Sequence, residues 1–593
     1  MIKARTQLCI IADATFAEAL AVIERSRAAE SIEDFFRQSS GGGGRQPSDI
    51  RFTVKAILVA LLIRFCMGRP FHLRGAMDTI GELTPDQLAA VGMHGQDLSA
   101  LHTDSRRAYA KMHSFWSRRM EALDSYGDVP ARRMPNSTFR GIVGNRSDEQ
   151  LQHAVLAADR LSAITNDILA ASIWVKVPTN CVGDAVVDET LLDTAALTGE
   201  LGAAPHKMHA ASPLSEPWAR ERSTGQLKAG LPRREISKSG NGIGVTMLTR
   251  VAHRDALHSE PPLFIGMAGH GPTGGSVEAL GQAIAHARRT GVDGRPSGGP
   301  RQRWPLMTAD MGFNGKKGFA ELMLRTGYSP VVAYPKRWLR KFPAAKNPNR
   351  ADAPQPGPLQ YNGTFFCPAV QKLLDPKLLL GTKEMLNRDE FRAHDRTLQE
   401  LYPFLMGHHT RPRFANDRAG RPRIGERATE VVKQRMVCPA AMGTVQCPLK
   451  PESMDAGIGL PLAEPDWPAD TYTCCSASSV TVTLSPDQLR LAQWDLIPFS
   501  WEHLIYYEAL RALTEQRFNQ LKSRAGSGIN DIKTGPRRPP TVLLGVALAA
   551  AAVNISAQRN HNPRGAQAVG FTRKWRDLEA DLGYPPTRIP PRS

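Results

Sequence analysis

The chain has 593 residues, with 75 Lys and Arg against 57 Asp and Glu, so its formal net charge is +18. At about 100–200 residues per domain this length predicts roughly two to four domains, and an apolar fraction of 41% with 22% charged residues excludes a disordered chain. Eight cysteines are too few for a disulfide scaffold, and the positive charge favours a polyanionic partner, nucleic acid or an anionic membrane, unless a GC-rich genome that prefers Arg accounts for it.

Residues 1–174 predict a helical region. The apolar patch at 8–12 is too short for a signal peptide, so we expect a cytoplasmic protein with reduced thiols. Apolar residues at helical spacing predict helices at 16–38, 53–67, 108–123 and 148–171, with a short helix beginning at Pro85. Such a region is typical of a DNA-binding front end and equally of a plain helical bundle.

Residues 175–340 predict an α/β unit. Strands are expected at 181–192 and 242–251, separated by a polar loop or lid at 205–239. A short apolar strand at 306–309, a helix at 318–326 and a strand at 330–334 follow. Strand, helix and strand in close succession indicate an α/β core.

Residues 341–485 predict a β-rich inserted region, with short strands at 363–367, 436–439, 443–449 and 479–484. Residues 486–560 return to helices, expected at 488–495, 501–523 and 542–558. The apolar run at 542–553 is shorter than the roughly 20 residues that cross a membrane, so we expect no membrane partner. Residues 561–593 are basic and rich in proline, and predict a flexible tail.

Three carboxylates carry the chemical hypothesis. Asp188 and Asp310 each end an apolar run, which places them at the rim of the predicted sheet, and Glu515 lies in a long helix. Carboxylates brought together repel one another unless they share a divalent cation such as Mg²⁺, and two such ions activate water at a phosphodiester. Asp184 and Asp193 compete for the first role, but only Asp188 is preceded by Ala-Val-Val and followed by Glu-Thr.

The helix around Glu515 offers a matching set of side chains. At 100° per residue, Tyr507, Arg511, Glu515 and Lys522 fall within about 80° of one another. A carboxylate flanked by two cations and a phenol suits a metal-bound phosphodiester with contacts to neighbouring phosphates. The same residues also fit a solvated face with an ordinary Arg–Glu pair.

Taken together, these pieces resemble the DDE transposases of bacterial insertion sequences. The matching segments are Val-Val-Asp-Glu-Thr at 186–190, Ala-Asp-Met-Gly-Phe at 309–313 and the helix. The family spacing is Tyr, two residues, Arg, three residues, Glu, six residues, Lys. Arg511, Glu515 and Lys522 match it, whereas Tyr507 stands one residue early and Glu508 holds its place.

The resemblance implies a ribonuclease H-like catalytic core split by a β-rich insertion and preceded by the helical region. It implies a DNA transposase in which Asp188, Asp310 and Glu515 hold Mg²⁺ or Mn²⁺. Hydrolysis at the ends of the insertion sequence would free a 3′ hydroxyl that attacks target DNA, in a bacterial cytoplasm and within a homodimer that pairs two ends.

The resemblance further implies that Tyr507, Arg511 and Lys522 contact double-stranded DNA, and Lys316 and Lys317, just past the second carboxylate, are further candidates. Two alternatives remain. The first alternative is a non-catalytic DNA-binding protein derived from such an enzyme. The second is a host nuclease with the same core.

Cysteines in the inserted region form a second candidate metal site. Cys367, Cys438 and Cys447 each precede a proline, and Cys474 and Cys475 are adjacent. Four thiolates, the fourth from Cys474 or its neighbour, would suit a structural Zn²⁺. The spacings of 71, 9 and 27 residues are irregular and no Cys-x-x-Cys pair occurs, so separate buried thiols are the alternative.

Overall fold

The structure, a computed structural model, describes residues 11–39, 51–94, 104–177, 181–194, 208–226, 232–254, 259–272, 274–295, 304–334, 341–346, 352–361, 363–374, 388–416, 430–455, 459–492, 494–523, 529 and 536–561. The tail predicted at 561–593 therefore lies outside the described residues beyond its first position.

The helices, numbered α1 to α17 in chain order, are Asp13–Ser26, Ala28–Ser39, Val54–Cys66, Leu73–Gly81, Pro85–Ala90, Ser105–Glu121, Asn136–Gly144, Asp148–Ala171, Ser276–Arg289, Met311–Asn314, Phe319–Thr326, Arg388–Leu401, Pro451–Met454, Thr473–Ser476, Pro486–Leu491, Trp501–Lys522 and Pro539–Arg559. Short 3-10 helices lie at Pro368–Lys372, Tyr402–Phe404, Ala440–Met442 and Ala469–Thr471.

The strands, numbered β1 to β15, are Met134–Pro135, Ala185–Asp193, Met208–His209, Glu216–Gln226, Pro232–Arg250, Leu263–His270, Leu306–Ala309, Ser329–Val332, Lys341–Pro343, Leu359–Tyr361, Thr364–Phe366, Gly407–His408, Arg413–Asn416, Glu430–Val437 and Ser479–Leu484. The chain is thus a mixed α/β protein, as the sequence predicts.

One mixed sheet organises the centre of the molecule. Its strand order is β4-β5-β2-β7-β8. Strand β6 also pairs with the long strand β5, along a different stretch from the one that pairs with β4. The pairs β2–β5 and β5–β6 are antiparallel, whereas β2–β7 and β7–β8 are parallel. Three strands joined in antiparallel pairs (β4, β5 and β6), the central strand β2 and two parallel strands reached through helices (β7 and β8) therefore make up the six-stranded sheet.

Alternation along β2 assigns its two faces. Val186 belongs to a small apolar cluster with residues of helix α16, whereas Ala185 and Val187 belong to the larger core on the other side. Successive side chains of a strand point to opposite faces. Helix α16 therefore covers the face on which Val186, and after it Asp188, lies.

Two buried asparagines, one in α8 of the N-terminal helical region and one in α17, attach these helices to the sheet. On strand β6, the main-chain N–H and C=O of Met267 bond the side-chain amide of Asn166 at 2.9 and 3.0 Å. Those of Phe264 bond the amide of Asn554 in the same way, both at 2.8 Å. An edge strand presents unpaired main-chain groups that must be satisfied or shielded. Helices α8 and α17 supply that cover, so the helical region shares a core with the sheet.

Helix α17 is longer than the apolar run in the sequence indicates. It spans 21 residues and is long and apolar enough to cross a membrane, yet 89% of its apolar window is buried inside the protein. That burial is typical of a central core helix. Its many alanines allow α3 and α8 to pack closely against it.

Several local predictions are confirmed. The structure has helix α8 at Asp148–Ala171, behind a capping box formed by Ser147 and Gln150. Strand β7 occupies 306–309, and helices α11 and α16 agree with the predicted helices to within a residue at each end.

Other local predictions are wrong. The polar stretch at 205–239 is not a loop throughout, because Glu216–Gln226 pairs with Pro232–Arg250 as a hairpin. Ladder hydrogen bonds join main-chain groups, so polar strands can pair as well as apolar ones. Residues 443–449 form a turn instead of a strand, in which the Thr444 N–H bonds the Pro439 carbonyl at 3.1 Å. The helix predicted at 16–38 is interrupted at Arg27, whose φ is +52°.

The N-terminal region is also not wholly helical. Met134–Pro135 forms a two-residue ladder with Met208–His209, which lies in the predicted loop. A pair this short carries no sequence signal of its own, because the paired residues are 75 and 73 positions apart in the chain.

Candidate active site

Asp188 and Asp310 lie side by side at neighbouring strand positions. In the parallel ladder of β2 and β7, Val187 stands opposite Ala309, and the two aspartates follow directly. Asp310 keeps extended backbone angles, with φ −67° and ψ 163°, so it continues the alternation of β7. Leu306 shares the cluster with Val186 beneath α16. Both carboxylates therefore face helix α16.

The surroundings of Asp188 show that this is a crowded, partly dry position. Burial, together with the charge of Asp310, raises the pKa of its carboxyl to about 6, although an N–H bond from Glu189 and the cations of Arg511 and Lys522 lower it. The bond from the Glu189 N–H to Asp188 Oδ1 is 2.7 Å long. Two acids and two cations thus meet between the sheet and α16.

Asp310 is held by the turn that follows it. Its Oδ1 accepts N–H bonds from Gly312 at 2.5 Å and Phe313 at 3.1 Å, which caps the short helix α10. A Cβ on residue 312 would stand 2.8 Å from that oxygen, too close without a shift. Glycine at 312 therefore allows the carboxylate to occupy this position.

Glu515 lies on helix α16 but does not complete the group. Its carboxylate accepts a bond from Arg511 at 3.0 Å, and 65% of its side chain is exposed. Among the residues that the structure describes, no three His, Cys, Asp or Glu side chains form a group that could hold a metal. The structure brings together two of the three predicted carboxylates. The third, that of Glu515, is instead paired with Arg511, one helical turn earlier in α16.

Tyr507 continues the same helix face, although it stands one residue early in the family spacing. Its ring is buried and stacks on His503 with centroids 6.2 Å apart. Burial raises the pKa of its hydroxyl, which lies beside the Arg511 guanidinium. Tyr507, Arg511 and Glu515 are each four residues apart, so they form one continuous row. Glu508 is exposed.

The two lysines after Asp310 have different surroundings. The Lys316 ammonium bonds Glu189 Oε2 and Ser276 Oγ, both at 2.6 Å, and Ser276 also donates to Glu189 at 2.7 Å. Lys317 is exposed. Lys316 is therefore part of an internal bond network, and of the pair Lys317 is the one that faces solvent.

The Glu189–Ser276–Lys316 network was not predicted from the sequence. It ties β2 to the first turn of α9 and to the turn after Asp310, on the face of β2 opposite the two aspartates. The only available signal was that Glu189 directly follows Asp188 in the motif segment.

Neither competing aspartate joins the pair. Asp184 is buried, and its Oδ1 accepts the Leu306 N–H at 2.7 Å, which fastens the beginning of β2 to β7. Asp193, at the other end of β2, accepts from the Trp218 indole at 3.3 Å. Asp188 alone of the three lies beside Asp310.

The donor chemistry at this position fits a divalent cation. Two adjacent carboxylates repel each other, and burial together with this repulsion raises the pKa of Asp188. Oxygen ligands of this kind are those that Mg²⁺ and Mn²⁺ prefer. Asp188 and Asp310 are thus the residues that would hold such an ion.

The five cysteines of the inserted region are buried in one apolar core cluster. The same cluster includes Val187 and Ala309, whose side chains lie on the face of the sheet opposite the aspartate pair.

The chain matches no protein-family model, and no curated protein resembles it in sequence.

Proposed function

We propose that the chain is a DNA transposase of the DDE type, acting at an aspartate pair beneath helix α16. The observation that carries this proposal is the Val187–Ala309 register, which sets Asp188 beside Asp310 on the face that Arg511 and Lys522 approach. A metal-binding acid pair beside basic side chains suits a reaction at a phosphodiester.

The topology supports a ribonuclease H-like core. Three antiparallel strands, β6, β5 and β2, continue into two parallel strands, β7 and β8. The first acid lies within the central strand, the second directly follows its parallel neighbour, and the third lies on a helix packed across both. The inserted region occupies the chain between β8 and α15.

Each basic or aromatic side chain has a distinct role in the proposal. Lys522 and Arg511 bind DNA phosphates on either side of the reacting bond, because both already lie near the aspartate pair. Tyr507, fixed by its stacking on His503, orients the Arg511 guanidinium. Lys317, which is exposed, adds a phosphate contact next to Asp310, whereas Lys316 holds the strand ends in place.

Glu515 joins the pair when DNA binds. Its exposed bond to Arg511 is an i,i+4 ion pair, which contributes only about 0.3–0.5 kcal/mol. A DNA phosphate that takes over Arg511 forms a stronger charge-assisted contact. The displaced Glu515 carboxylate is then available to turn toward Asp188 and Asp310.

A divalent cation, when bound, polarises a phosphoryl oxygen and lowers the pKa of a bound water. Asp188 and Asp310, on adjacent strands, would hold it on the face that Arg511 and Lys522 approach. The exchange of Glu515 from Arg511 to the acid pair couples assembly of the site to the arrival of DNA.

The test is cleavage of DNA carrying the ends of the element, in Mg²⁺, by the full-length chain. Asp188→Asn and Asp310→Asn should each abolish cleavage while end binding persists. Asp193→Asn is the matched control, because Asp193 lies on the same strand but on the other face. End binding without cleavage by the wild-type chain would indicate the non-catalytic DNA-binding protein. Cleavage of unrelated DNA without strand transfer would indicate a nuclease.

A further inference from the structure

Three cysteines of the inserted region share one local geometry. Each precedes a proline, and each sulfur accepts main-chain N–H bonds from just beyond that proline: from Ala369 to Cys367, from Ala441 and Ala440 to Cys438, and from Leu449 to Cys447. A neutral thiol is a weak acceptor, whereas N–H bonds stabilise a thiolate. The repeated turn therefore suits sulfurs that carry negative charge.

Main-chain pairing brings the first two turns together. The Cys367 N–H donates to the Phe404 carbonyl at 2.8 Å, and three residues later Gly407 pairs with Val437, the residue before Cys438. Cys367 and Cys438 thus leave neighbouring segments of one paired assembly.

The turn that carries Cys447 folds back onto the same place. The Thr444 hydroxyl donates to the Pro403 carbonyl at 2.7 Å and to the Pro439 carbonyl at 3.1 Å. Pro403 precedes the partner of Cys367, and Pro439 follows Cys438, so Thr444 joins the surroundings of both cysteines. Cys447 lies three residues beyond it.

Cys475 completes the set. The Cys438 N–H donates to the Ser478 carbonyl at 2.9 Å, which lays the segment after α14 along the end of β14. Cys475 interacts electrostatically with Cys367, Cys438 and Cys447, and it accepts a bond from the Cys474 thiol. Cys474 also interacts with Cys367 and Cys438, but Cys475 interacts with all three and accepts the bond from the Cys474 thiol, so we take Cys475 as the fourth member.

The surroundings make uncompensated thiolates costly. All four cysteines are buried in one apolar cluster, and burial raises the pKa of Cys367, Cys438 and Cys447. Main-chain N–H groups that point at buried sulfurs are expected where the sulfurs are thiolates whose negative charge a bound cation neutralises.

We propose that Cys367, Cys438, Cys447 and Cys475 bind one structural Zn²⁺, a site separate from the acid pair. Four thiolates leave no open position, which is typical of a structural and not a catalytic zinc. Zn–S bonds of about 2.3 Å require sulfurs about 3.5–4 Å apart. The described residues hold no group already in metal-binding geometry, so binding would require the four side chains to turn towards one another.

Metal content of the full-length protein tests the proposal. After expression with added zinc and dialysis against metal-free buffer, elemental analysis should give about one zinc per chain. Cys438→Ser and Cys447→Ser should lose it. Cys181→Ser is the matched control, because Cys181 is a buried thiol outside the inserted region. Asp188→Asn should retain zinc, which separates this site from the acid pair.

X-ray absorption at the zinc edge is measured on the wild-type protein, so this test does not depend on whether a variant folds. Four sulfur neighbours at about 2.3 Å support the site. A shell of nitrogen and oxygen, absence of zinc from the wild-type protein, or disulfides among these cysteines would each overturn it. Protein that holds zinc but does not cleave DNA overturns only the transposase proposal, and protein that cleaves DNA without zinc overturns only this one.

Discussion

Val187 and Ala309 stand opposite each other in a parallel ladder although they are 122 residues apart in the chain. Because the two aspartates follow them directly, this one register decides which carboxylates meet. A shift of one residue would turn Asp310 to the other face of the sheet, away from α16.

Replacing Asp188 should raise stability where metal is absent. Asp188→Asn removes a partly buried charge and its repulsion with Asp310, so in EDTA we expect an increase of about 1–2 kcal/mol in the free energy of unfolding. Adding Mg²⁺ should raise the Tm of the wild-type protein and leave that of the variant unchanged. Equal shifts in both proteins would mean that the ion binds elsewhere.

Glu515→Gln should separate catalysis from binding. The change keeps the shape of the side chain but removes the charge that would join Asp188 and Asp310. Strand cleavage should fall at least about 100-fold, while affinity for the ends, measured by mobility shift, stays near that of the wild type. Cleavage at the wild-type rate would remove Glu515 from the site.

Lys522→Ala should weaken DNA binding on all sequences alike. The loss of one phosphate contact lowers the salt slope of the binding constant by about one. Lys372→Ala is the control, because Lys372 is 61% exposed in the inserted region. A change in sequence preference without a change in slope would contradict a phosphate contact.

Asn554→Ala should destabilise the fold strongly. The change leaves the N–H and C=O of Phe264 without the partners that they have at 2.8 Å. Two unsatisfied buried groups are expected to lower the free energy of unfolding by about 2–4 kcal/mol. Asn560→Ala, at an exposed position just beyond α17, should stay near zero. Urea denaturation of both variants measures the difference.

Acid should destabilise the protein through two buried histidines. Burial lowers the pKa of His394 and of His503 from 6.5 to about 4, and each bonds a main-chain carbonyl. Between pH 6.5 and about 4, both histidines are protonated in the unfolded chain but stay neutral in the native state. The contribution of these two histidines to stability therefore falls as pH drops from 6.5 towards 4, by up to about 1.4 kcal/mol per pH unit for each, while protonation of Asp188, whose pKa is raised to about 6, acts in the opposite direction.

His503→Asn tests that assignment, because it removes one of the two groups. The pH dependence of the free energy of unfolding should lose up to one proton in its slope over this range. An unchanged slope would show that other groups govern acid stability.

Elements with strong local signals could be predicted from the sequence. Helix α8 begins at a capping box, and α16 begins behind Ser500, whose hydroxyl accepts the His503 N–H at 3.0 Å. Caps and helical periodicity act within a few residues, so they are legible without the fold. The same holds for β7, a short apolar run that ends at Asp310.

Features that depend on distant partners could not be predicted in this way. The polar hairpin of β4 and β5 is held by main-chain pairing. The choice of Cys475 over Cys474 depends on contacts with three other segments. The pairing of Glu515 with Arg511, by contrast, is a local i,i+4 contact that the sequence already offered as an alternative.

The amino-acid sequence by itself determined the class of the fold, most helix positions and the identity of the acids worth examining. Only the tertiary structure decided that Asp188, and neither Asp184 nor Asp193, stands beside Asp310. The physical reason is that periodicity assigns a side chain to a face of its own strand, whereas the neighbour on that face is chosen by a register between segments 122 residues apart.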